Sequence, residues 1–184
     1  MVFSSLIFIF RFMPLFFLCY FLTPKSFRNL VLFLGSIIFY AVGEPIYIFL
    51  MLFTIFINFW ICVHLAREHR TGYRRCILFF AMLLDFGMLF VFKYFDFFAE
   101  NLNLILHKQA APLLNLTLPL GISFYTFQIV SYVGDIYTRK MKHPGTLLEF
   151  ATYVCMFPQL IAGPIVQYRE VSNELTRRKV TLYD

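Results

Sequence analysis

The chain has 184 residues, of which 60% are hydrophobic and 14% charged, and its net charge is +6. Soluble domains contain about 45–50% apolar and about 25% charged residues, so this composition excludes an ordinary water-soluble fold. The basic residues lie between apolar runs, where membrane topology needs them, and this distribution argues against a nucleic-acid partner. Because the four cysteines lack the spacing of a zinc site or a disulfide framework, we expect no metal site and assign packing roles to Cys19, Cys62, Cys76 and Cys155.

Six apolar runs follow one another along the chain, and each is a candidate membrane segment. They cover residues 2–22, 29–42, 46–65, 76–98, 113–137 and 147–166. A helix needs about 20 apolar residues to cross the hydrocarbon core, so the 29–42 run either spans obliquely or pairs with its neighbour as a helical hairpin. The pattern predicts an all-α fold, a polytopic transmembrane helical bundle in a lipid bilayer, with about five to six membrane segments.

The charges between the runs predict the orientation of the chain. Basic residues follow the first, third and fifth runs: Lys25, Arg28, Arg67, Arg70, Arg74, Arg75, Arg139, Lys140 and Lys142. The positive-inside rule then predicts a multi-pass protein of the cell (inner) membrane with its N-terminus outside the cytoplasm. The sixth run is followed by further basic residues and is interrupted by Pro158 and by Gly163-Pro164. It is therefore predicted to be re-entrant, with residues 157–164 entering and leaving on one face.

Ionisable side chains inside the runs are costly in lipid and need an explanation. Asp85 lies in the middle of the fourth run, and we expect it to be a polar anchor between helices. Lys93 and Asp96 are three residues apart and are expected to neutralise one another.

The fifth run carries a semi-polar stripe at helical spacing. Its members are separated by steps of four, three, four and three residues, and they are Gly121, Tyr125, Gln128, Tyr132 and Asp135. Such a stripe faces other helices or a wet cavity rather than lipid. Interhelical hydrogen bonding and the lining of a substrate channel both fit it. Asp135 is also expected to pair with Arg139 at the end of the helix.

Several blocks of sequence match a known family pattern. The longest are Leu-Pro-Leu-Gly-Ile-Ser-Phe-Tyr-Thr-Phe-Gln at 118–128, Ser-Tyr to Asp-Ile-Tyr at 131–137, and Phe-Pro-Gln-Leu-Ile-Ala-Gly-Pro-Ile at 157–165. Together with Arg-Asn-Leu at 28–30, Phe-Tyr-Ala at 39–41 and Phe-Lys-Tyr at 92–94, they resemble the alginate O-acetylation branch of the membrane-bound O-acyltransferases. The resemblance extends over the whole chain.

The resemblance implies a helical enzyme with a central tunnel, which transfers an acyl group, usually acetyl, to an extracytoplasmic polysaccharide such as alginate. It implies an acyl thioester donor such as acetyl-CoA, exported polysaccharide-acetylation partner proteins, and no bound cofactor. The family's essential histidine lies beyond the matched region, so no catalytic residue is expected here. Residues 1–184 are then the N-terminal part of a single membrane domain whose C-terminal half is missing.

On this interpretation the chain contributes tunnel or substrate-lining residues: Tyr125, Gln128, Tyr132, Asp135, Pro158, Gln159, Gly163 and Pro164. Three alternatives stay open. One is a transporter component, although the sequence has no internal repeat of the kind that transporters show. Another is a non-catalytic remnant or a split subunit. The third is a relative that transfers D-alanine to teichoic acids.

Overall fold

The computed structural model describes residues 6–108, 111–141, 143–163 and 166–176, and this part of the chain is helical without strands. A π-helical stretch, Phe8–Phe12, leads into the first α-helix, and a short 3-10 turn, Lys25–Phe27, leads into the second. The α-helices are α1 Met13–Leu22, α2 Arg28–Gly43, α3 Tyr47–Arg67, α4 Thr71–Lys93, α5 Phe95–Leu106, α6 Ile122–Tyr137, α7 Leu147–Cys155, α8 Phe157–Ala162 and α9 Tyr168–Thr176.

Three of these helical segments are long and apolar enough to cross a membrane: Lys25–Gly43, Tyr47–Arg67 and Thr71–Lys93. Phe8–Leu22 is a shorter apolar helix. Large apolar side chains on these helices are exposed, among them Phe49, Phe53 and Phe79. In water such a surface would be unstable, whereas in lipid it meets a matching solvent. The fold is therefore a helical membrane bundle, as the composition predicted.

The fourth predicted run, 76–98, is divided between two helices. α4 ends at Lys93, Tyr94 takes φ −121° and ψ −14°, and α5 follows. The expected pairing of Lys93 with Asp96 is wrong, because the break at Tyr94 removes the spacing of a continuous helix. Instead Lys93 Nζ lies 5.3 Å from the centre of the Tyr94 ring. The Asp96 carboxylate accepts hydrogen bonds from the backbone N–H groups of Leu114 and Asn115 at 2.7 and 2.9 Å.

The fifth predicted run, 113–137, is helical only from Ile122 onward. Residues 112–119 are not helical. Polar side chains of other helices bond the backbone at both ends of this stretch. At one end, Asn103 Nδ2 donates to the Ala111 carbonyl and Asn103 Oδ1 accepts from the Ala111 N–H. At the other end, the Tyr40 hydroxyl donates to the Leu120 carbonyl at 3.0 Å. Apolar composition alone therefore overestimated the length of this helix.

α6 lies at the centre of the bundle and packs against α3, α4 and α7. Its inward face is apolar as well as polar, with Ile129 and Val133 fully buried. α7 begins at a capping box, in which the Thr146 hydroxyl accepts from the Glu149 N–H and the Glu149 carboxylate accepts from the Thr146 N–H. The predicted interruption of the sixth run is confirmed, since α7 and α8 are separated at Met156 and Pro158 lies in the first turn of α8.

Candidate substrate-lining site

The polar stripe of α6 faces the protein interior, as its spacing predicted. Tyr125, Gln128, Tyr132 and Asp135 are exposed by 0%, 1%, 0% and 6%. Gly121 precedes the helix as its N-cap, with the positive φ of 72° that glycine adopts without strain. Interior side chains at this spacing are what interhelical packing and a channel wall both require.

α8 packs on the N-terminal end of α6. A Cβ atom at Gly121 would lie 3.1 Å from the Leu160 side chain and 3.3 Å from its carbonyl oxygen, so this contact also depends on glycine. The packing buries Gln159, whereas Pro158 is exposed and Gly163 is half-buried. Pro164 lies outside the described residues. Of the predicted lining residues in this segment, Gln159 thus has the burial of the α6 stripe and Pro158 does not.

Five buried polar atoms of α6 and α8 have no hydrogen-bond partner among the described residues. Four belong to predicted lining residues and are the Tyr125 hydroxyl, Gln128 Oε1, Asp135 Oδ2 and Gln159 Nε2, and the fifth is Thr126 Oγ1. The expected pairing of Asp135 with Arg139 is not formed, because α6 ends at Tyr137 and Arg139 takes a φ of 59°. Buried polar groups in folded proteins nearly always find partners, so these donors and acceptors suit a polar ligand, water or further protein.

Tyr132 differs from the other stripe residues because its hydroxyl is used within the fold. It donates to the Pro144 carbonyl. Its ring stacks on Phe150, with centroids 4.3 Å apart, and meets the edge of Tyr168 at 5.0 Å. Tyr168 in turn contacts Tyr153, whose hydroxyl donates to the Val166 carbonyl at 2.7 Å. This aromatic cluster joins α6 to α7 and α9.

Four open cavities formed by described residues have volumes of about 630, 580, 330 and 250 Å³. Side chains other than the predicted lining residues line these four cavities. Among the described residues, no group of three or more His, Cys, Asp or Glu side chains could hold a metal ion. Substrate lining by the α6 stripe and by α8 therefore stays a prediction.

Asp85 acts as the expected anchor between helices. Asn58 Nδ2 on α3 donates to Asp85 Oδ1 on α4 at 2.7 Å, and both residues are fully buried. Asn58 Nδ2 also donates to the Thr54 carbonyl. The sequence analysis did not identify Asn58, although an amide in an otherwise apolar span is itself a signal for such a partner.

Arg74 is a second polar residue whose role the sequence analysis missed. It was grouped with the topological charges, yet its side chain is only 5% exposed. Nη1 donates to the carbonyls of Leu65 and Glu68 at 2.6 and 3.1 Å, and Nη2 to those of Ile136 and Tyr137 at 3.2 and 2.6 Å. The last carbonyls of a helix lack intrahelical partners and carry partial negative charge. Arg74 therefore ties together the C-terminal ends of α3 and α6.

The turn that precedes α4 is arranged by its acidic residue. The Glu68 carboxylate accepts from the backbone N–H groups of Arg70 and His69, at 2.9 Å each. The bond from Arg70 is the main cause that lowers the pKa of Glu68 below its ordinary value, and the bond from His69 adds to it.

The fold and the polar interior define a multi-pass helical membrane protein with buried hydrogen-bonding groups on its central helix. Comparison with known proteins gives its relatives. The chain is 35% identical to a probable alginate O-acetylase of Pseudomonas aeruginosa and 36% identical to one of Azotobacter vinelandii, in each case over 99% of its length. It is 34% identical, over 93% of its length, to a peptidoglycan O-acetyltransferase of Helicobacter pylori.

These matches confirm the resemblance of its sequence blocks to the alginate O-acetylation branch of the membrane-bound O-acyltransferases. The chain spans between 36% and 38% of the length of these relatives. No family model matches it. No solved structure matches it either.

Proposed function

We propose that the chain is part of a membrane O-acyltransferase that transfers an acetyl group to an extracytoplasmic polysaccharide such as alginate. The observation that carries the proposal is the similarity, along nearly the whole chain, to proteins named for O-acetylation. The acyl donor is acetyl-CoA or another acyl thioester. Exported polysaccharide-acetylation proteins act with the enzyme, which resides in the inner membrane with its N-terminus outside the cytoplasm.

The contribution of this chain to catalysis is the wall of the substrate path. Its histidines are assigned no catalytic role, and the general base is supplied by the remainder of the enzyme. A hydroxyl group attacks a thioester efficiently when both are held in position and bulk water is excluded. The buried polar atoms of Tyr125, Gln128, Asp135 and Gln159 support this role, since they have no hydrogen-bond partner within the part of the chain that the structure describes.

Peptidoglycan is the second candidate acceptor, because one relative is named for its acetylation. Transfer of D-alanine to teichoic acids and a role as a transporter component are less favoured, since the relatives' names refer to acetyl transfer. The alginate and peptidoglycan hypotheses differ in the polymer that gains acetyl esters, so one experiment separates them.

The test uses the full-length protein and its partner proteins in a host without its own O-acetylase. Acetyl esters on exported polysaccharide and on peptidoglycan are measured by NMR after purification of each polymer. We expect esters on the polysaccharide. The absence of acetyl esters from both polymers would refute the proposed function. Acetyl esters on peptidoglycan alone would show that peptidoglycan, the second candidate, is the acceptor.

The lining role has its own control. Gln128→Leu is compared with Phe127→Leu, because Phe127 immediately precedes Gln128 on α6 and is 41% exposed on the outer surface. At equal expression we expect Gln128→Leu to reduce acetylation by about tenfold, because roughly one hydrogen bond to the substrate is lost. Phe127→Leu should leave acetylation unchanged. Equal acetylation by both variants would refute the lining role without affecting the proposed function.

A further inference from the structure

A groove lies on the outer surface of the α3–α4 pair, near the turn that joins the two helices. Its volume is about 630 Å³, and its walls include Phe56, Trp60, His64, Tyr73, Cys76 and Phe80. Trp60, Tyr73 and Phe80 are each about half exposed, so their rings border the surface rather than the core. The groove is separate from the buried face of α6.

The dimensions of the groove match one acyl chain. From Phe56 to His64 the α3 helix rises by about 12 Å, at about 1.5 Å per residue. One leaflet contributes roughly half of the hydrocarbon core, which is about 30 Å thick in total. The polar tips of Trp60, His64 and Tyr73 suit the border between acyl chains and headgroups.

The end of the groove at His64 leads to a basic segment. Arg67 lies one helical turn beyond His64, Arg70 precedes α4, and both are exposed. Arg75 on α4 is exposed as well, whereas the guanidinium of Arg74 is occupied by helix carbonyls. The acidic residue here is Glu68, whose carboxylate is hydrogen-bonded within the turn. The charge of the exposed arginines therefore exceeds that of the glutamate.

We propose that this groove binds an anionic phospholipid, with one acyl chain along Phe56, Trp60 and Phe80 and the phosphate at Arg67 and Arg70. The apolar walls account for the acyl chain, and the charge at one end selects the headgroup. The lipid comes from the leaflet on the side of residues 67–75. This site is independent of acyl transfer and holds for either candidate acceptor.

Trp60 is the single tryptophan of the chain and lines the groove, so its fluorescence reports on the occupant. The full-length protein, in which every tryptophan other than Trp60 is replaced by phenylalanine, is reconstituted in equimolar mixtures of phosphatidylglycerol and phosphatidylcholine. In each mixture one of the two lipids is brominated. Bromine quenches tryptophan on contact. We expect phosphatidylglycerol to bind more tightly, by about fivefold for each arginine that contacts the headgroup.

The preference should disappear in Arg67→Gln/Arg70→Gln and persist in Arg67→Lys/Arg70→Lys, which retains the charge. Lys108→Gln, which removes a charge from the loop after α5, is the matched control and should not change the preference. Equal quenching by both lipids would overturn the proposal, because the groove would then hold ordinary boundary lipid. Absence of quenching by either lipid would overturn it too, because protein would then cover the groove.

Discussion

Replacement of Arg74 by methionine should destabilise the protein by separating the ends of two helices. Methionine preserves part of the side-chain volume and provides no donor. Four carbonyl oxygens then lose the guanidinium: those of Leu65 and Ile136 in fully buried bonds, and those of Glu68 and Tyr137 in partly buried ones. The Ile136 carbonyl keeps a second bond, from the Arg139 N–H at 3.2 Å. The buried Leu65 carbonyl is therefore the one left without a partner, whereas the carbonyls of Glu68 and Tyr137 can be solvated.

The magnitude follows from this division. A buried polar group without its partner costs about 1–3 kcal/mol. One buried carbonyl therefore predicts a loss of about 1–3 kcal/mol in the free energy of unfolding for Arg74→Met. Arg74→Lys keeps the charge, but a single ammonium group cannot extend to both helix ends as the planar guanidinium does. We expect it to lose about half as much.

The control is Arg75→Met, because Arg75 is adjacent and exposed and should change stability by no more than about 0.5 kcal/mol. Unfolding of the full-length protein in detergent gives the global effect. Hydrogen exchange gives the local one, with faster exchange expected in the last turns of α3 and α6. Equal stability of Arg74→Met and Arg75→Met, with unchanged exchange in those turns, would refute the role assigned to Arg74.

Two further predictions concern Gly121 and Glu68. Gly121→Ala should destabilise the protein by about 1–3 kcal/mol in the denaturation assay, because the backbone has a φ of 72° and Leu160 lies 3.1 Å from the new Cβ. The control is Gly134→Ala, whose new Cβ meets no atom within 4 Å, and it should be neutral or stabilising in the same assay. Because the folded-state pKa of Glu68 is lowered, its stabilisation of the turn is present above the ordinary pKa of 4.5 and is lost as the pH falls through the lowered value. Protection of the His69 and Arg70 amides should decrease in that acidic range, and a pH-independent protection equal to that of Glu68→Gln would contradict this.

Hydropathy predicted the fold class and two helices almost completely. The runs at 29–42 and 46–65 correspond to Arg28–Gly43 and Tyr47–Arg67, because the backbone of an uninterrupted apolar sequence in lipid is best satisfied by a helix. For the run at 113–137, the prediction of a helix was wrong before Ile122, because long-range contacts override the local apolar pattern there. Before Ile122, three backbone groups of this run bond the side chains of Asp96 and Tyr40, which are distant in sequence, so the local pattern contained no sign of these partners.

The orientation of the candidate site was predictable, and its partners were not. Helical spacing identified the buried face of α6, since that face follows from a period of 3.6 residues alone. Arg74 contacts carbonyls more than 60 residues away, so its neighbours in sequence gave no reason to separate it from Arg70 and Arg75. A weaker signal was present: Arg74 shares one face of α4 with Ala81 and Asp85, which are also buried.

The contacts of α6 agree with the lining role that we propose for its polar side chains. Arg74 and the aromatic cluster around Tyr132 fix its C-terminal half, and the contact between Gly121 and Leu160 fixes the start. Tyr125 and Gln128 lie between these fixed ends. Side chains on a rigid element keep their positions without help from a ligand, which is the condition for precise substrate placement. Loss of either polar group should therefore reduce the rate of transfer while the helix stays where it is.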